Sequence, residues 1–239
     1  MLSQGVFMVL LTMVSCVYSC HRKTMINGHG VTEGDKNMIL EYHNRMRQAV
    51  AMGTVPGQPA AANMMELKWD VELAQRAQKW STSCGAEGHD AGRHLGRFEV
   101  GQNIATMWTR ATPRNTFDMM ANFAHAIGRW FDEYRNYRFG PLQGYSKNTG
   151  HYTQMVWGET DLIGCGFSYY YDTTKGFTKN YVCNYGASGN VLGQEPYVKG
   201  RPSCQRFNYA PSARYIGLCE KPKFSHNYFY DLHSNYIGY

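Results

Sequence analysis

Residues 162–187 read LIGCGFSYYYDTTKGFTKNYVCNYGA. Both halves, LIGCGFSYYYD and FTKNYVCNYGA, are rich in β-branched and aromatic residues, and TTKG between them supplies turn chemistry. The stretch therefore predicts two antiparallel strands joined as a hairpin, with Cys165 and Cys183 facing each other across the pair. Upstream, three segments carry helical period. Residues 35–52 place Ile39, Tyr42 or His43, Met46 and Val50 on one face and stop at Gly53, with Pro56 beyond. A second helix starts at Asp70, a good N-cap, and aligns Leu73, Ala77, Trp80 and Cys84. A third, over residues 116–137, aligns Met120, Phe123, Ile127, Trp130 and Tyr134. Helices first and strands after them argue an α+β or layered α/β/α domain, not alternating βαβ units.

A chain of 239 residues can bury one sizeable core, and nothing in it separates two. The net charge of +6 is dispersed, with no basic block of the kind that marks a nucleic-acid surface. Residues 1–19, MLSQGVFMVLLTMVSCVYS, contain no charge and carry an apolar run from Val6 to Val17, too short for a comfortable membrane span. They read as a secretory signal and predict an extracellular protein with no integral membrane association. Cys16 falls inside that signal. Cys20, Cys84, Cys165, Cys183, Cys204 and Cys219 remain, an even set suited to three disulfides in an oxidising compartment. From Asn190 the chain runs through LGQEPYVKGRPSC as an irregular connection, and residues 220–239 lack period and read as a tail.

GHYTQMVW (150–157), IGCG (163–166) and YVCNYGASGN (181–190), preceded by GQN (101–103) and WFDEY (130–134), resemble the CAP superfamily of cysteine-rich secretory proteins, antigen 5 and pathogenesis-related 1. CGAEGHDAGRHLGRFEVGQNIA (84–105) and the hairpin are similar to arthropod antigen-5 proteins of venom and saliva. The resemblance implies a three-layer α-β-α sandwich over residues 35–197, after an N-terminal segment 20–34 and before a short disulfide-bridged extension 198–219. It also implies the family's N-terminal clip, Cys20 to Cys84, which with the hairpin bridge leaves Cys204 to Cys219.

The resemblance further places His89, Gln102, Glu133 and His151 at a central cleft. Gln102 departs from the family pattern, standing where a carboxylate is usual. An amide cannot titrate, so acid/base chemistry loses one of its two acids, and no G-x-S-x-G elbow or H-E-x-x-H pair supplies another route. Two readings of the histidines stay open. His89 and His151 form a partial Zn(II) or Cu(II) site, with Glu133 as a third ligand or as a support behind one imidazole. Alternatively they belong to a polar floor in which Gln102, Asn103 and Gln154 satisfy one another. His29, His43, His94 and His125 match no motif and read as surface or satisfied core residues. Relatives of this kind bind small lipids between helices, for which Met38, Met46, Met119, Met120 and Phe123 would form an adaptable wall, although ordinary core packing explains the same stripes.

The function expected from these observations is a secreted, monomeric, non-catalytic binder. It would act as a salivary or venom component on a small lipid or a host protein, with no obligatory cofactor. A protease or metal-dependent redox enzyme is the competing class. A channel-blocking toxin ranks third, because only Cys204 and Cys219 remain for a C-terminal module.

Overall fold

The computed structural model describes residues 22–83, 88–144 and 147–222. The expected signal, the Cys20 to Cys84 clip and the tail beyond 222 lie outside these residues. A short strand β1 (Lys23–Asn27) precedes helix α1 (Glu33–Ala51), which opens with a reciprocal capping box between Thr32 and Asp35. Strand β2 (Lys68–Trp69) leads into helix α2 (Val71–Thr82), capped by Asp70 as the sequence predicts. Strand β3 (Gly101–Thr109), in which the sequence showed only the GQN motif, comes next.

The third helix differs from expectation. A 3-10 turn at Phe117–Met119 is followed by a break, and helix α3 spans only Phe123–Asp132 before a second 3-10 turn at Glu133–Asn136. Asn122 accepts the His125 amide and starts the helix anew, so Met120 lies outside the stripe and is half exposed. Helix α4 (Gly150–Met155) carries the GHYTQ run, and strands β4 (Leu162–Asp172) and β5 (Gly176–Gly186) form the hairpin. Cys165 pairs with Cys183 in register and by disulfide, and a second disulfide joins Cys204 to Cys219.

The sheet runs β1-β4-β5-β3, with β2 added parallel to β4. Its two faces follow the period of two. Ile163, Cys165, Phe167, Tyr169, Tyr181, Cys183 and Tyr185 point into one core with Ile39, Phe123, Trp130 and Tyr152 from α1, α3 and α4. The alternate positions, Tyr170 and Val182 apart, are small or polar, and α2 packs on them. A Cβ at Gly164 would stand 2.2 Å from the Ala74 amide nitrogen, and one at Gly166 would stand 2.4 Å from that of Gln78. The IGCG motif is thus one cysteine for the core between two glycines that let α2 lie against the strand. Ser168 and Asn180 bond the Ser81 carbonyl on this face, and Asn184 bonds that of Leu73.

Arg47, on α1, is fully buried and donates all five of its N–H groups to carbonyls of Met65, Met155, Trp157, Gly158 and Thr160. Burial pulls its pKa down to about 9, against the attraction of Asp161, and the group stays charged at neutral pH. The C-terminal extension docks beside it. The Cys219 amide bonds the Met64 carbonyl, the Glu66 amide bonds the Cys219 carbonyl, and the Tyr215 hydroxyl donates to Glu41 of α1.

Arg47→Met should remove five hydrogen bonds, leaving the Gly158 and Trp157 carbonyls only their backbone donors Met65 and Thr160, and lower the unfolding free energy by roughly 3–5 kcal/mol. Urea denaturation at neutral pH measures this. Arg47→Lys should recover only part of the loss, because one ammonium cannot reach five acceptors.

Candidate functional site

Helix α4 is short and held at both ends. At its start the Glu133 carboxylate, just past the end of α3, accepts the amides of His151 and Tyr152 on Oε2, at 3.0 and 3.2 Å. Its other oxygen lies 2.6 Å from His151 Nδ1. Beyond its last turn, Arg47 holds the carbonyls of Met155 and Trp157. His151 is therefore fixed through both backbone and ring, and its imidazole stacks on the buried Trp130 indole, with ring centroids 6.0 Å apart.

His89 and His151 line one cleft of about 560 Å³, together with Gln102, Asn103, Lys147 and Asn190. His89 sits at its exposed rim, and its Nδ1 lies 3.1 Å from Gln102 Oε1. The same oxygen accepts the Asp90 amide, while Gln102 Nε2 donates to Asn184 Oδ1 at 2.9 Å. Desolvation lowers the His89 pKa, outweighing the Gln102 bond, and the charges of Arg93 and His151 push the same way.

These bonds fix the tautomers. A carboxylate and an amide oxygen can only accept, so Nδ1 carries the proton in both rings and Nε2 keeps the lone pair. Glu133 has its two oxygens committed to three N–H donors and stands behind His151. Among the described residues, no three of His, Cys, Asp and Glu gather as a metal-binding set.

The expected mutual network of Gln102, Asn103 and Gln154 is corrected by the structure. Asn103 donates to the His151 carbonyl and to the Tyr185 hydroxyl, whereas Gln154 accepts the Gly189 amide. Each amide has partners outside the trio. His43 is a satisfied core histidine, one of the two roles the sequence allowed it, but its link to the cleft through Tyr185, and the part played by Asn184, went unread. Tyr185 OH lies 2.9 Å from His43 Nε2, and His43 Nδ1 lies 2.8 Å from the Ile39 carbonyl, so Nδ1 donates and the ring accepts the tyrosine proton on Nε2. The only sequence signal was the NY of VCNYG, since His43 and Tyr185 are 142 positions apart.

His94 pairs with Glu99, while His29 and His125 are exposed. Of the proposed lipid wall, Phe123 is fully buried, Met38, Met46 and Met119 pack half-buried against the same core, and Met120 is 53% exposed. None of the five lines the histidine cleft.

Two predictions follow from the hydrogen-bond directions. Asn184 commits its amide to the Leu73 carbonyl and turns Oδ1 toward residue 102, which must donate. Gln102→Glu would oppose two oxygens there and should cost about 1–2 kcal/mol in urea at neutral pH. It should also raise the His89 pKa, read by NMR, because the new charge favours imidazolium.

His43 is buried neutral, with its pKa lowered from 6.5 to about 4 by desolvation and, to a lesser degree, by Arg47. The unfolded chain binds the proton first, so stability is full above pH 6.5 and declines as the pH falls toward 4. Between pH 7 and 5 this amounts to about 2 kcal/mol. Urea midpoints should fall over that range, and His43→Gln should be less stable at pH 7 with a flatter profile.

A family model described as the cysteine-rich secretory protein family, CAP, matches residues 40–185. Salivary antigen-5 of Dipetalogaster maximus is 34% identical over 214 residues, which span 87% of this chain and 84% of that protein. Venom allergen 5 of Vespa magnifica is 42% identical over 180 residues, spanning 73% of this chain and 76% of that one. The crystal structure of NaASP2 with Zn2+ superposes with a TM-score of 0.63 at 28% identity, covering 80% of this chain and 98% of that one. With its three-layer sandwich, its bridged hairpin and its paired-histidine cleft, the chain belongs to the CAP family of cysteine-rich secretory proteins.

Proposed function

We propose that the protein is secreted and acts by binding, as a salivary or venom component, and that its histidine cleft takes a divalent cation of the zinc or copper type. The observation that carries the cation reading is the pinning of both Nδ1 atoms, by Glu133 and by Gln102. In the neutral tautomers this leaves the lone pair on each Nε2, both residues line one cleft, and metal-binding histidines are oriented in this way. His89 and His151 would hold the ion and water would complete its shell, so binding is modest, since two protein ligands rarely hold zinc tightly. The solved relative with Zn2+ supports the same reading.

A binding role is supported over catalysis by the cleft's chemistry. Gln102 cannot transfer a proton, Glu133 already accepts three N–H donors, and no serine or cysteine lines the cleft among the described residues. Secretion is supported by the two disulfides and by the salivary and venom relatives.

Isothermal titration with Zn(II) and Cu(II) tests the site. Wild type should bind at pH 7, and His89→Ala or His151→Ala should weaken binding at least about tenfold, whereas His94→Ala should not. Acidification should release the ion, because coordination needs the unprotonated nitrogen, and the lowered pKa of His89 should let it compete with protons further below pH 6.5 than an ordinary imidazole. Wild-type affinity in both alanine variants would overturn the cation site in favour of a polar floor. Peptide or ester turnover that vanishes in a folded His151→Ala protein would overturn the binding role.

A further inference from the structure

At the opposite end of the same strands lies a second concavity, of about 590 Å³, that the histidine cleft does not use. Gln102 and Trp108 stand six residues apart on β3, which separates the two sites by about 20 Å. The groove is aromatic on its inner side. Tyr169 and Phe177 stack with ring planes 17° apart, Tyr181 is fully buried beside them, and Trp108 forms an outer wall that is 59% exposed.

Its lining includes two cations, Arg114 and Lys179, and two tyrosine hydroxyls. Tyr169 is 2% exposed, yet among the described residues its hydroxyl makes no hydrogen bond. The Tyr181 hydroxyl accepts the Asn122 amide, and its own proton has no acceptor among the described residues. Lys179 gives one bond to the Met120 carbonyl, at 2.6 Å, which leaves two of its three protons. Arg114 lines the rim with Asp118, the one carboxylate there, and contacts it at 3.4 Å. Burial lowers the Lys179 pKa, outweighing the attraction of Asp118.

With Asp118 paired to Arg114, the Lys179 ammonium and two hydroxyl protons that have no acceptor among the described residues call for an anion. The flat aromatic floor calls for a planar apolar body. We infer that this groove binds a small aromatic carboxylate, its ring against Tyr169, Phe177 and Trp108 and its carboxylate accepting from Lys179 and the Tyr169 hydroxyl. An aromatic cage for an amine would need the opposite charge balance.

Isothermal titration at pH 7 with three isosteric probes tests the inference: 2-naphthoate, 2-naphthalenemethanol and 2-naphthylmethylammonium. The carboxylate should bind about tenfold more tightly than the alcohol, and the ammonium more weakly than either. Lys179→Met should abolish the carboxylate's advantage. Because Lys179 also holds the Met120 carbonyl, Tyr169→Phe serves as a second variant that removes one hydroxyl and keeps the ring, and it should weaken the carboxylate about three- to tenfold. Amide NMR shifts in wild type should cluster at residues 107–109 and 177–181. Equal affinity for carboxylate and alcohol, tighter binding of the ammonium, unchanged affinity in both variants, or no binding of any probe would each overturn the inference.

Discussion

Arg47 brings a full positive charge into a place without solvent and finds five carbonyl oxygens there. An isolated buried cation would be prohibitive, so the surrounding backbone has to be placed to receive it. Four of the five carbonyls belong to the end of α4 and the turn that follows, and the fifth belongs to Met65. The side chain therefore joins the longest helix to the helix that carries His151, to the turn that feeds β4, and to the 61–67 segment on which the C-terminal extension docks. Regular secondary structure cannot satisfy those carbonyls, because the chain turns there. The guanidinium does so with a planar fork that lysine does not possess.

With that end fixed, the cleft is determined by what lies at the other end of α4. Glu133 saturates the first amides of the helix and orients the imidazole in one stroke. On the other side of the cleft a chain of hydrogen bonds runs from the His151 carbonyl through Asn103 and Tyr185 to His43 and the Ile39 carbonyl. Each member has one arrangement of donors and acceptors that satisfies its neighbours. The cleft floor is therefore preorganised, and its cost is a histidine kept neutral in the core. Gln102 fits the same logic. Asn184 presents an oxygen, so an amide meets it with a donor where a carboxylate would not.

The sheet divides the labour between its faces. Aromatic residues fill the side toward α1, α3 and α4, whereas glycine, serine and asparagine on the other side let α2 approach and give polar partners to carbonyls at both ends of that helix. The same antiparallel strands then carry different chemistry at their two ends, imidazoles at one and an aromatic, donor-rich groove at the other.

The hairpin, its cysteine register and the starts of the first two helices were legible in the sequence, because each depends on residues close along the chain: turn chemistry, period two, a cap three residues from its amide. The third helix was misread for the same reason. Its apolar stripe continued through residues where Asn122 restarts the backbone, and period alone does not register a cap inside a stripe. Motif resemblance named His89, Gln102 and His151, which line the cleft, and Glu133, which stands behind His151, and left the role of Glu133 open between ligand and support. Tertiary structure decided that Glu133 holds the His151 ring and the first amides of α4, that Gln154 serves Gly189, and that His43 belongs to the site's foundation. It also decided that Tyr169 and Tyr181 keep protons without acceptors among the described residues beside Lys179. Those facts depend on donor and acceptor directions between segments up to 142 residues apart, and a sequence fixes such directions only by folding.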